Sequence, residues 1–425
     1  MKDIAEKSLF DIPGGWKTLL WILVLLGIGM FIAGLMTGGE ESVVRTWQAF
    51  LINTVFWGGI AHAGVLFAVI WQLTDAKWGR AFKRLAEACA GFLPISFLMF
   101  MVVFFGSHVL YEWTHTPFLH HGEAVKQGWL NLPFFISRNV FWLLLIYGIS
   151  YWFVKTSIKP DIALARRLIG SDWGGKFADW VLEDYGEHET EVIRLEKLSR
   201  KIAPVLALVY SIGGSFLAWD FVMTLDQTWF STLFGVFVMI GNMHAFLGLM
   251  LVVAVTVRQK FAIEEYISIN RLHDLAKMTF AFSLLWTYMG YSQYIVIWYA
   301  DLPEETPYLI IRSMNAPWNT LFLVIILWVF VSVFLGLLPR TLCRIPNYIR
   351  LMGIWVMLGQ LLSVYIMVVP SLQHDGHYHI FMGMHELLIT LGFVGAFFLC
   401  YLAFLGKLPI LPISDKHLCR TWHGH

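Results

Sequence analysis

Several ionisable residues fall within or at the ends of long apolar stretches, where a charge or imidazole is costly and usually serves a function. His62 and His244 stand near the middle of two such stretches. Imidazole at that depth can ligate a haem axially or relay protons. Each stretch offers only one candidate histidine, so hydrogen bonds to Asn53, Asn242 or Gln293, or proton relay, are the expectation. His108, Arg138 and Asp220 lie toward one end of three other stretches, and Glu112 follows His108 by four residues, on the same face of a continuous helix. Arg138 is permanently charged and needs an anion, which Asp220 or Glu112 can supply. Such a pair either fixes helix packing or marks a quinone headgroup or proton-exit site. A quinol that loses two protons needs a histidine or carboxylate acceptor near the exit face. Glu87, Asp274 and Lys277 sit at the opposite end, where two stretches begin, and are candidates for a proton entrance; the helix dipole alone also favours acids there.

A second group of histidines lies in polar connections: His115, His120 and His121, then His374, His377 and His379, with His385 and Glu386 following. Imidazoles so grouped can bind a metal, but hydrated loop residues or a docking surface for another subunit are favoured, and no metal is expected. The four cysteines, Cys89, Cys343, Cys400 and Cys419, form no CxxC or CxxCH. Spacings for iron–sulfur clusters, zinc ribbons and covalent haem are therefore absent.

The elements that must hold these residues are membrane helices. The chain has 425 residues, 58% hydrophobic and 14% charged, against about 25% charged in soluble domains. No basic stripe or motif points to nucleic acid. Ten segments reach the roughly 20 apolar residues a span requires: 17–37, 47–73, 87–112, 131–155, 202–224, 230–257, 275–299, 317–338, 348–370 and 384–406. Backbone groups in lipid must be satisfied internally, so each is helical, and the predicted fold is an all-α polytopic membrane protein. No small-residue cleavage site follows the first apolar run, which reads as a retained span. Of the 30 Lys and Arg, the connections on one side hold only Arg45, Lys126 and Arg312, and Arg138 lies inside a span. The other 26, including those of both tails, mark the cytoplasmic side. The long connection 156–201 is charged with spaced apolar residues, as expected of amphipathic helices on a membrane surface.

An internal repeat organises the spans. Gly58-Gly-Ile-Ala-His62-Ala in span two parallels Ile240-Gly-Asn-Met-His244-Ala in span six, and Asn139 in span four parallels Asn319 in span eight. The offsets, 182 and 180 positions, nearly agree. Residues 47–225 would form one four-helix bundle and 226–371 a second of the same orientation, flanked by the tail and first span at 1–46 and the last span and tail at 372–425.

Three motifs carry a resemblance. They are Thr74-Asp-Ala-Lys-Trp78; Ala218-Trp-Asp220 with Asp226-Gln-Thr-Trp229-Phe-Ser-Thr232; and His273-Asp-Leu-Ala-Lys277 with Ser292-Gln-Tyr294 and Trp298-Tyr-Ala-Asp-Leu-Pro-Glu-Glu-Thr306. Together they resemble the F subunit of bacterial alternative complex III, a quinol:cytochrome c oxidoreductase subunit of the NrfD/polysulfide-reductase membrane-subunit family. The resemblance implies ten spans in two four-helix bundles and a place in the bacterial inner membrane. It implies a subunit that carries no catalytic cofactor of its own, with quinone possible, and with haem c and iron–sulfur clusters on partner subunits. Those partners would be a related membrane subunit, an iron–sulfur protein, c-type cytochromes and possibly a terminal oxidase, beside membrane lipid. The expected path then joins Glu87, His62, His108, Arg138 and Asp220 in the first bundle, and Asp274, Lys277, His244 and Glu304 in the second. A purely structural anchor and an independent secondary transporter are the competing readings. Transporters tend to break helices at mid-membrane, whereas Pro94 and Pro133 fall near predicted helix ends.

Overall fold

The computed structural model describes residues 2, 5–6, 10–37, 39–116, 119–120, 123–124, 126–373 and 379–415. Twelve helices carry the fold: α1 Gly14–Met36, α2 Glu40–Leu73, α3 Lys77–Phe105, α4 Leu132–Ile169, α5 Gly175–Leu182, α6 His188–Phe221, α7 Phe234–Phe261, α8 Ile269–Ala300, α9 Thr306–Ser313, α10 Trp318–Leu337, α11 Pro346–Val368 and α12 Met384–Leu405. A two-residue antiparallel ladder, Leu119–His120 with Glu123–Ala124, is the only strand pairing among the described residues. The chain is thus an all-α polytopic membrane protein.

Nine of these helices are long and apolar enough to cross a membrane. The sequence predicted ten. The missing one is α8, whose 32 residues reach about 48 Å at 1.5 Å per residue. Its apolar character is diluted by Thr287, Gly290, Ser292, Gln293 and four tyrosines, and it packs lengthwise on α7 with the spans around it. The connection 156–201 also departs from expectation. Instead of separate surface helices, α4 continues unbroken to Ile169 and α6 begins at His188, leaving only the short α5 between them. Arg166 ties that turn together, donating to Trp173 O at 3.0 Å and to Asp179 Oδ1 at 2.7 Å.

Lipid offers helices no hydrophobic reward for associating, so close backbone approach at small residues carries the packing. Helices α1 and α12 cross at Gly27 and Gly392, where a Cβ on Gly27 would stand 2.5 Å from Gly392 Cα. The start of α2 is tied to the start of α12, where Arg45 Nη2 meets Glu386 Oε1 at 2.8 Å and Thr46 Oγ1 meets His385 Nε2 at 2.7 Å. Helix α2 is buried along most of its length and packs on α3, α6, α7, α11 and α12; α4 packs on α6; and α7 on α8 and α11. Two helices are irregular in mid-course. Residues Ala88–Phe92 of α3 form a 3₁₀ turn, and Ile326–Ser332 of α10 form a π-helix.

Candidate functional site

A column of buried polar groups runs through the helices of the first half. At the end of the molecule where Arg and Lys are frequent, Arg84 is 2% exposed and Glu87 and Asp161 are wholly buried. Arg84 donates from Nε to Asp161 Oδ2 at 2.7 Å, from Nη1 to Ser157 Oγ at 3.0 Å and to Glu87 Oε2, and from Nη2 to Ser157 O at 2.7 Å. Asp161 Oδ1 accepts from Ser414 N at 2.8 Å. Lys83 Nζ lies 4.0 Å from Glu87 Oε1, which accepts no hydrogen bond. Beside the cluster opens a cavity of about 180 Å³ lined by Lys83, Arg84, Ser157, Ser199 and Asp415 among others. A buried carboxylate oxygen without a donor, next to a cavity lined by charged and hydroxyl side chains, is equipped to take up a proton.

The next group along the column is His62, half a turn from Gly64 on α2. Gly64 abuts Cys89 and the Ala86 carbonyl of α3, so Glu87 and His62 sit at similar depth. The His62 ring lies 5.0 Å from that of Tyr147 and 5.8 Å from that of Tyr210. Tyr147 Oη in turn meets Ser96 Oγ at 2.9 Å. His62 Nε2 is buried without a partner, and the residue lines a cavity of about 40 Å³ shared with Tyr210, Ala218, Phe221 and Asn242. That volume admits water, which needs about 10–15 Å³ and polar neighbours. Asn242 reaches this place because α2 carries a glycine opposite it: a Cβ on Gly59 would stand 2.3 Å from the Asn242 side chain.

Ala218 and Phe221 flank Asp220, the end of the column. Arg138 grips its carboxylate with Nε at 2.6 Å and Nη2 at 2.7 Å, and Asn139 Nδ2 donates at 2.8 Å. Arg138 Nη1 donates to Trp129 O at 2.7 Å, and the guanidinium lies 4.2 Å from the Trp129 ring centre. Of the two anions proposed for Arg138, Asp220 is the partner. Bidentate geometry of this kind holds the carboxylate as an anion and orients it.

The other predicted residues are placed differently. The helix carrying His108 breaks at Gly106 and ends at Leu110, and Tyr111 is extended, so His108 and Glu112 do not share a helical face. Both are exposed; His115 Nε2 meets the His108 carbonyl at 2.7 Å. Asp274 and Lys277 form a 2.6 Å pair one turn into α8 with side chains 37% and 59% exposed, a surface pair rather than a buried entrance. Glu304 is exposed in the α8–α9 connection, where Lys126 lies in its field. Burial lowers the Lys126 ammonium pKa, while Glu304 and Asp226 raise it. His244 is wholly buried, and its Nδ1 meets Gln360 Nε2 at 2.8 Å. The predicted amide partners Asn53 and Gln293 are engaged elsewhere, with Thr390 at 2.9 Å and Ser231 at 3.1 Å. Among the described residues no group of three His, Cys, Asp or Glu is arranged to hold a metal. His121, His374, His377 and Cys419 lie outside the described residues, as does the His120 side chain.

Sequence reasoning missed Arg84 and Asp161. Both fall in stretches that read as polar connections, and only the extension of α4 to Ile169 carries Asp161 into the interior. The chain matches no protein-family profile and no curated protein.

Proposed function

We propose that the chain is a membrane subunit of a respiratory quinol:cytochrome c or quinol:oxidase oxidoreductase, and that its first half moves protons for that complex. The observation that carries this reading is His62. It sits among membrane helices with an unpartnered ring nitrogen beside a water-sized cavity, in the half of the chain that also holds a buried cluster with a free carboxylate oxygen and a buried ion pair. Nε2 of His244 is unpartnered as well, but Nδ1 of that ring is held by Gln360, and it is His62 that borders a cavity able to admit water. In this scheme Glu87 takes the proton, His62 and the water beside it pass it on, and Arg138 fixes Asp220 as the anion at the far end. The three sequence motifs resembling the alternative complex III F subunit support the choice of a quinol-oxidising partner, and the haem c and iron–sulfur centres belong to other subunits.

The test is proton movement on quinol oxidation by the intact complex in sealed vesicles. His62→Phe and Glu87→Gln should lower protons moved per electron by at least half, with the complex still assembled and its haems still reduced. Unchanged stoichiometry in both variants would leave a structural anchor. Solute uptake by the purified chain alone, dissipating a gradient without haem partners, would favour the secondary transporter instead.

A further inference from the structure

Helix α12 ends at Leu405, and the residues that follow it, 406–415, form neither helix nor strand. Pro409 and Pro412 lack the N–H that a helix or ladder needs. Irregular chain normally runs over the surface, because its backbone polar groups want water. Here six consecutive residues, 408–413, are buried. The segment starts against the chain ahead of α1: a Cβ on Gly406 would meet the Phe10 carbonyl, and Trp173 Nε1 fixes the same stretch by donating to Ala5 O at 3.3 Å.

Its other end reaches the buried cluster of Arg84, Glu87 and Asp161. Ser414 N donates to Asp161 Oδ1 at 2.8 Å, and Ser414 Oγ donates to the same oxygen. Arg84 takes Asp161 Oδ2, so the carboxylate is shared between α3 and this segment. Asp415 accepts from Arg80 Nη1 at 2.6 Å, while Arg80 Nη2 holds Asp75 at 2.5 Å. One guanidinium thus clasps the segment to the connection between α2 and α3. Pro412, Ser414 and Asp415 thereby wall the cavity of about 180 Å³ beside the cluster, together with Ser157 of α4 and Ser199 of α6. Ser199 Oγ is buried there without a hydrogen-bond partner.

The two parts of the segment are held differently. Leu408, Ile410, Leu411 and Ile413 are buried almost completely and fix the first part by packing. The second part depends on an ion pair whose side chains are 19% and 17% exposed, and Asp75, 57% exposed, competes for the same arginine. Such pairs are weak and screened by salt, and irregular chain ends open locally more readily than helices.

We propose that 406–415 is a strap with a fixed apolar part and a latch, Ser414 and Asp415, that lifts off Asp161 when Arg80 releases Asp415, opening the cavity to water. On the proposed function the open latch admits water, and with it a proton, toward Glu87, and to that extent the inference rests on that reading. The latch itself does not: unchanged proton movement in Glu87→Gln would remove the uptake step and leave the latch standing.

The experiment introduces a thiol by Ser199→Cys into the detergent-purified full-length chain, with Cys89, Cys343, Cys400 and Cys419 changed to alanine. Its reaction with a charged methanethiosulfonate is then timed. Arg80→Gln and Asp415→Asn should each speed the reaction by at least about tenfold. Raising ionic strength from about 0.01 to about 1 M should speed it severalfold in the parent and little in either variant. Rates that neither substitution nor salt changes overturn the latch. Should the cysteine-substituted chain fail to fold, hydrogen–deuterium exchange of the unsubstituted protein decides. Exchange of the Ser414 and Asp415 amides that salt accelerates, with 392–405 of α12 unaffected, upholds the latch; protection equal to that of α12 at both ionic strengths overturns it.

Discussion

Replacing Asp220 with asparagine keeps the shape of the side chain while removing its charge, which isolates the ion pair at the end of the column. Two guanidinium nitrogens and Asn139 Nδ2 bond the Asp220 carboxylate at 2.6–2.8 Å, and the residue has no solvent exposure. Asparagine leaves one oxygen to accept and turns an NH₂ toward donors. Removing one partner of a buried pair costs about 3–5 kcal/mol, because the other charge stays buried. Arg138 keeps the Trp129 carbonyl and the Trp129 and Phe134 ring faces, 4.2 and 4.9 Å from the guanidinium carbon; such faces contribute about 0.5–2 kcal/mol. The expected loss for Asp220→Asn is therefore about 2–4 kcal/mol, toward the low end because polar groups in membranes also find partners when unfolded. The double variant Arg138→Met with Asp220→Asn removes both charges and should be at least about 1 kcal/mol more stable than the summed losses of the single variants Arg138→Met and Asp220→Asn predict. Unfolding of the detergent-purified protein by dodecyl sulfate, followed by tryptophan fluorescence, measures all of these. Losses that add within about 0.5 kcal/mol would refute coupling between the two side chains.

Gly59→Leu drives a side chain into Asn242 where α2 meets α7, and should destabilise by about 1–3 kcal/mol and abolish proton movement, read by the same unfolding titration and vesicle assay. Asp274→Asn, in an exposed pair, should leave stability and proton stoichiometry unchanged; a clear loss in either would restore Asp274 to the path. Cysteine at Glu304 should react with an impermeant maleimide in right-side-out vesicles, and cysteine at Glu183 only in inverted ones; the reverse pattern would overturn the orientation derived from Lys and Arg.

Fold class and most helix positions were legible because a span announces itself by twenty apolar residues, whatever its neighbours. The exceptions have physical causes. Helix α8 stands where the sequence placed it, but it mixes tyrosines and hydroxyls among its apolar residues, so its hydropathy falls below that of a span although its length does not. The 3₁₀ turn in α3 and the π-helix in α10 depend on how neighbouring helices fill the gaps, which periodicity cannot register. At the site, Arg138 and Asp220 were legible because isolated charges in apolar runs need partners. Arg84 and Asp161 were hidden by polar surroundings in the sequence.

The proposed function sets the chain inside a quinol-oxidising complex. Affinity purification of the tagged protein from native membranes in mild detergent, with a visible spectrum taken before and after quinol, tests it most directly. The expected result is co-purifying c-type haems that quinol reduces. A colourless, solitary protein from gently solubilised membranes would contradict it.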